Sequence, residues 1–226
     1  MKEIVIEILN DEKIPVKVKV GEFETPVWIQ QRIVTSEYAS PLNYSGCGHC
    51  STAMALNLRG QSVAPWDEFA RCVELFGEMS VSPSGNKQYP FLSVVGMVKV
   101  LTSYGLNAKA YGVNNGDRKT ATKHIIEELK KGSIVNFVSC PNDDFLDNPF
   151  SKGHHWVVLA GFNKDGKVVV LNSSLGGDYK DSTLGINVVD ESVIEKALSK
   201  VASPTDKTWG ELENLDSEGC GYVVIE

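Results

Sequence analysis

Two apolar runs, residues 155–162 and 167–172, are separated only by the string Asn163-Lys164-Asp165-Gly166. Residues of this kind close a tight β-turn, so the two runs are predicted to lie side by side as an antiparallel hairpin. Further β-rich runs stand at 133–139 and at Tyr222-Val223-Val224-Ile225, with a short strand near 106–113. The preceding half has a different rhythm. Residues 48–59, 65–78, 91–104 and 118–131 read as helices: Pro65 and Pro90 mark two starts, and Gly60, Gly105 and Gly132 mark three stops. On residues 65–78, Phe69, Cys72, Val73 and Phe76 fall on one stripe. One more helix is predicted near 190–200, before a polar loop with Pro204. Helices first and an antiparallel sheet second make an α+β fold.

The N-terminus adds a second pattern. Residues 3–9 and 14–20 are β-rich around the turn Asn10-Asp11-Glu12-Lys13, and Val16, Val18 and Val20 alternate with Lys17 and Lys19. This is a hairpin attached to the main unit, the simplest role of which is to cover an edge. We therefore divide the chain into an N-terminal hairpin extension, residues 1–27, and one main domain, residues 28–226. Residues 21–45, with Pro26 and Pro41, read as irregular.

Composition removes several function classes. The net charge is −7, and no basic block exceeds a pair such as Lys130-Lys131. Phosphate backbones need a clustered basic face, so nucleic acid is not an expected partner. No segment approaches the ~20 apolar residues of a membrane span. The first twenty residues carry no apolar signal-peptide core, which leads us to expect a cytoplasmic protein. The five cysteines (Cys47, Cys50, Cys72, Cys140 and Cys220) are odd in number and widely spaced, as expected of free thiols in a reducing compartment.

Gly46-Cys47 immediately precedes the first helix, which opens Gly48-His49-Cys50. The thiolate is the nucleophilic form of cysteine, and a helix N-terminus or a nearby imidazolium lowers the thiol pKa. Flanking glycines let the backbone turn and leave the sulfur uncovered. His155 opens an apolar strand and is a candidate base. Asn172 ends the hairpin's second strand near the level of His155, where its side chain could orient the imidazole. His154 is the alternative base, since adjacent strand residues face opposite ways. His124, in a charged helical stretch, is expected to be a solvated surface residue. Cys47, His49, Cys50 and either His154 or His155 could also make a metal-binding set, although no second tight ligand pair accompanies them.

Cys47-Gly48-x-x-Ser51-x-Ala53-Met54-x-Leu56, closing at Gly60, resembles the nucleophile helix of the C39-like peptidases of the papain-like superfamily. Gly153-x-His155-Trp156-Val157-Val158-x-x-Gly161-Phe162 resembles that family's Gly-His-aromatic strand. The following turn and Asn172 are similar to its hairpin and third catalytic position. The resemblance covers roughly residues 28–225. It implies a papain-like cysteine protease fold: an N-terminal helical part, carrying the nucleophile helix, packed on an antiparallel sheet. It also implies Cys47 as nucleophile, His155 as base and Asn172 as orienter. An upstream glutamine then serves the oxyanion hole, which we assign to Gln31, with Gln30 and Asn43 as alternatives.

Two departures stand out. His49 occupies the position after the glycine, where the family usually has Pro or a small residue. Asn172-Ser173 replaces the frequent Asp-Pro. A second assignment takes Cys50 as the nucleophile, by analogy with the papain-type Cys-Gly-Ser-Cys string, but Ser51 stands where an aromatic residue would follow. The expected function is a thiol-dependent hydrolase, a cysteine peptidase acting on peptide or protein through an acyl-thioenzyme, without cofactor or metal. Acyl transfer or transpeptidation on the same fold, and a non-catalytic or metal-binding module, are the alternatives.

Overall fold

The computed structural model describes residues 4–9, 15–20, 46–76, 93–113, 117–139, 148, 150–151, 155–173, 186–198, 210–211 and 221–226. The N-terminal hairpin consists of β1 (Ile4–Leu9) and β2 (Pro15–Val20), antiparallel with Ile4 opposite Val20 and Leu9 opposite Pro15. These two strands form their own sheet and add no strand to the larger one.

Among the described residues, the main unit is a seven-stranded antiparallel sheet. Its strands are β3 (Ala108–Gly112), β4 (Ile134–Ser139), β5 (His155–Phe162), β6 (Val168–Asn172), β7 (Ile186–Val189), β8 (Gly210–Glu211) and β9 (Gly221–Ile225). Their spatial order is β7-β6-β5-β4-β9-β3-β8. β5 therefore has strands on both sides and is buried along its whole length. A strand covered on both faces has no solvent side to pattern, hence its continuous apolar sequence.

Alternation along the strands divides the core in two. Trp156, Val158, Val169 and Leu171 pack with helices α1 (Cys47–Leu58), α2 (Pro65–Phe76) and α3 (Val94–Ser103). Val157, Leu159, Val168 and Val170 point the other way, towards α4 (Arg118–Lys130) and α5 (Glu191–Ala197). Each buried Val or Leu contributes about 1.5–3 kcal/mol, so the two layers hold the sheet from both faces.

Helix α1 is the central helix. Every residue from Gly48 to Leu56 is buried, as befits a helix with no polar face. Its C-terminus ends at Gly60, whose φ of +80° a side chain would strain, and the Arg59 guanidinium ties that end to the sheet by donating to the carbonyls of Gly132 and Ile225 at 2.9 and 2.8 Å. Helix α3 starts at Ser93, whose hydroxyl accepts from the Gly96 N–H at 3.0 Å.

The antiparallel sheet and its helices agree with the α+β expectation. Short β7 is an element the sequence analysis did not predict, and α5 stops at Ala197 rather than 200. His124 is a correction. It is half-buried on α4, with Nδ1 2.7 Å from the hydroxyl of the fully buried Tyr222 and Nε2 3.5 Å from Glu128. Burial lowers its pKa more than Glu128 raises it. The charged residues around it pointed to a solvated face, but a buried tyrosine hydroxyl needs a partner and recruits the ring.

Candidate active site

Helix α1 packs on β5. β6 stops at Asn172, opposite Val157, and so does not reach Trp156. The first turn of α1 serves the Trp156 backbone instead. The Trp156 carbonyl accepts from the Ser51 hydroxyl at 3.1 Å, and the Trp156 N–H lies close enough to the Cys47 sulfur to favour its thiolate. The sulfur therefore lies against the peptide that joins His155 to Trp156.

The N-cap of α1 is Gly46, which offers no side chain to the helix's free N–H groups. The Cys50 N–H is satisfied by the Gly46 carbonyl at 2.8 Å. The backbone N–H groups of Cys47 and Gly48 act on the Cys47 thiol in the direction of a lower pKa. All three backbone donors favour a thiolate, yet burial outweighs them and raises the thiol pKa above its ordinary value. Cys47 is half-buried, whereas Cys50, one turn on, is fully buried.

His155 and Asn172 meet at the first residues of β5 and the last of β6. The His155 Nε2 is 2.7 Å from the Asn172 Oδ1. The Asn172 amide donates in turn to the Phe150 carbonyl at 2.8 Å. A carbonyl only accepts, so the amide nitrogen must face Phe150 and the amide oxygen must face the ring. That oxygen also only accepts, so Nε2 carries the proton and Nδ1 keeps its lone pair in the neutral ring. Burial pushes the His155 pKa down to about 4, with the bond to Asn172 working in the opposite direction.

Phe150 is itself held. Its N–H donates to the Asn148 Oδ1 at 3.0 Å, and the Asn148 amide donates to the Ser139 hydroxyl at 2.8 Å. Ser139 is the β4 residue directly opposite His155. The orientation of the ring is thus fixed from the neighbouring strand. A backbone carbonyl has no sequence signature, which is why Phe150 escaped the sequence analysis.

A bulge makes the His155–Asn172 contact possible. Phe162 is opposite Val168 and Gly161 opposite Val169, but the next pair is Leu159 with Val170. Ala160 is the extra residue, beside Gly161 with φ of +136°. An unbroken register would set Asn172 opposite Val158 and turn its side chain away from His155. The shift by one sets it opposite Val157, on the same face as His155.

His49 faces away from this site. Its Nδ1 is 2.5 Å from Glu68 Oε2 and 3.7 Å from the Cys72 sulfur, and the Cys72 thiol donates to Glu68 Oε1 at 3.2 Å. All three residues are buried. The His49 ring also meets Phe69 edge-on, with centroids 5.1 Å apart. These three side chains, within 4.8 Å of one another, could hold a metal ion, and their mutual hydrogen bonds already satisfy the buried carboxylate. The metal set considered from sequence, which grouped His49 with Cys47 and Cys50, is not the one this geometry favours: His49 belongs to the α2 side. Gln31, Gln30, Asn43 and His154 lie outside the described residues.

Among the described residues, no helix is long and apolar enough to cross a membrane. A family model described as the Peptidase_C39 like family matches residues 26–200. Among solved structures, the chain is similar to a double glycine motif protease from an AMS/PCAT transporter, determined in complex with the leader peptide. That likeness has 17% identity and a TM-score of 0.39, and covers 79% of this chain and 83% of that one. No curated protein matches.

Proposed function

This chain belongs to the Peptidase_C39-like family, and we propose that within it the chain is a thiol-dependent peptide hydrolase with Cys47 as nucleophile, His155 as base and Asn172 as orienting residue. The observation that carries the proposal is the hydrogen-bond chain from the Phe150 carbonyl through Asn172 to His155. It leaves Nδ1 as the basic atom of a ring next to the peptide on which the Cys47 sulfur rests.

Burial raises the thiol and lowers the imidazole, so the resting pair is neutral. The proton then moves as the bond forms. Nδ1 takes it from the Cys47 thiol while the sulfur attacks the substrate carbonyl. The imidazolium returns it to the leaving amine, and water resolves the acyl-thioenzyme by the same route. The oxyanion is proposed to be received by the Cys47 N–H, released from the sulfur as the sulfur bonds to the carbonyl, and by Gln31 as the side-chain donor. Cys50 is unsuited to the first attack because it is fully buried.

Incubation with a mixed peptide library, read by mass spectrometry, tests this proposal. New termini and a covalent acyl adduct on Cys47 are expected, and both should vanish in Cys47→Ala. Products that persist in Cys47→Ala, or an adduct on Cys50, would overturn it. Products joined to an added amine rather than to water would identify acyl transfer instead.

A further inference from the structure

Cys47 and Cys50 sit one turn apart in the first turn of α1, and the mechanism uses only the first. Helical geometry places Cα atoms three residues apart at about 5 Å. This lies inside the Cα window of about 4.4–6.8 Å that a disulfide requires. The two cysteines differ in access: Cys47 is partly exposed and Cys50 is fully buried. Their electrostatic coupling is strong enough for Cys47 to contribute to the raised Cys50 pKa, which agrees with that closeness. The backbone N–H groups of Trp156, Gly48 and Cys47 each favour the Cys47 thiolate without any substrate. Cys72, the other cysteine among the described residues, is tied to Glu68 and takes no part.

We propose that Cys47 and Cys50 form a reversible dithiol–disulfide couple that exchanges with low-molecular-weight disulfides and switches the nucleophile off. The switching half rests on Cys47 being the catalytic nucleophile, whereas the exchange half stands on the pair alone.

The order of steps follows from access. The Cys47 thiolate attacks one sulfur of a small disulfide RSSR, the bond between its sulfurs breaks, and RS⁻ leaves to be protonated as RSH. A mixed disulfide, Cys47–S–S–R, remains. The Cys50 thiol then loses its proton and attacks the Cys47 sulfur from within the fold. The mixed disulfide breaks, and the second RS⁻ leaves with that proton as RSH. Two protein thiols are oxidised by two electrons, and one RSSR becomes two RSH. Cys47 then has no thiolate with which to attack a carbonyl. It is also shielded from irreversible oxidation to the sulfinic acid. An external thiol that attacks the protein disulfide at Cys47 reverses the sequence.

Trypsin gives a direct readout, because the peptide spanning residues 33–59 contains Cys47, Cys50 and no other cysteine. The full chain is equilibrated in buffers of reduced and oxidised glutathione, acid-quenched, alkylated and digested. As the oxidised share rises, this peptide should become two hydrogens lighter and refuse alkylation, while dithiothreitol restores both thiols. Peptidase activity should fall in parallel, and at least tenfold at full oxidation. In Cys50→Ala, the same buffers should instead leave glutathione attached to Cys47.

If the peptide keeps two free thiols at every ratio, or Cys47 pairs with another cysteine, the proposal fails, whatever the peptidase assay shows. If the disulfide forms and reverses while no peptidase activity exists in the reduced protein, the exchange couple stands and the peptidase proposal falls. Full activity in protein mapped as oxidised would overturn the switch.

Discussion

Two buried histidines flank the start of helix α1, and they have opposite kinds of partner. His155 is held by a neutral amide whose other end is fixed by a backbone carbonyl. His49 is held by a buried carboxylate that also accepts from a thiol. A neutral acceptor fixes the tautomer of a ring without adding charge, so the opposite nitrogen stays free to take a proton. A buried carboxylate that bonds the ring and a thiol together ties His49 on α1 to Glu68 and Cys72 on α2, which suits fastening the two helices. The comparison teaches that burial and a hydrogen bond alone do not mark a base. The chemistry of the partner does.

The largest effects should fall on the His155 side. Cys47→Ala and His155→Ala are each expected to lower kcat/KM by about 10⁴-fold or more, measured with the peptide found in the library assay. Circular dichroism should show an intact fold in both. Equal activity in His155→Ala would collapse the distinction between the two rings.

Asn172→Ala should cost about 10²-fold, because the ring loses its orienter but keeps its chemistry. Asn172→Asp is the sharper variant. It retains an acceptor at the same place but adds negative charge, which favours the imidazolium. The acid limb of its pH–rate profile should therefore lie at higher pH than that of the wild type.

On the other side, Glu68→Ala removes the acceptor shared by His49 and Cys72. It should destabilise the protein by about 3–5 kcal/mol, read from urea unfolding. At temperatures where the variant stays folded, the rate of Cys47 modification should change less than threefold. A collapse of that rate without unfolding would bring the His49 cluster into the catalytic machinery.

The smallest effect is a pH dependence of stability. The folded His155 pKa of about 4 lies below the ordinary 6.5, so between these values the unfolded chain binds more protons than the native one. Stability from this group is thus present above pH 6.5 and lost as pH falls towards 4. The urea midpoint of the wild type should drop more between pH 7 and pH 5 than that of His155→Gln.

Much of this site was legible in the sequence, for identifiable reasons. The Asn163–Gly166 turn fixed which strands are neighbours, and His155–Phe162 was predicted with the strand bounds observed. Gly60 marked the end of α1. The bulge at Ala160 was not legible, because a single extra residue leaves an apolar run looking the same. Yet it decides on which face Asn172 emerges. Glu68 was passed over for a related reason. It lies next to the apolar stripe of α2, where a glutamate ordinarily faces water, and only the buried His49 across the helix interface explains its burial. His49 itself was noticed as a departure from the family pattern, and its partner is the physical account of that departure.

The central claim is that His155 activates Cys47. Timed labelling of the reduced protein with iodoacetamide at pH 7, followed by peptide mapping, tests it most directly. The account predicts that Cys47 is modified first in the wild type, at least tenfold faster than any other cysteine, and that His155→Ala slows this site alone by tenfold or more. Labelling of Cys47 at the same rate in both proteins, or faster labelling of Cys50, would contradict it.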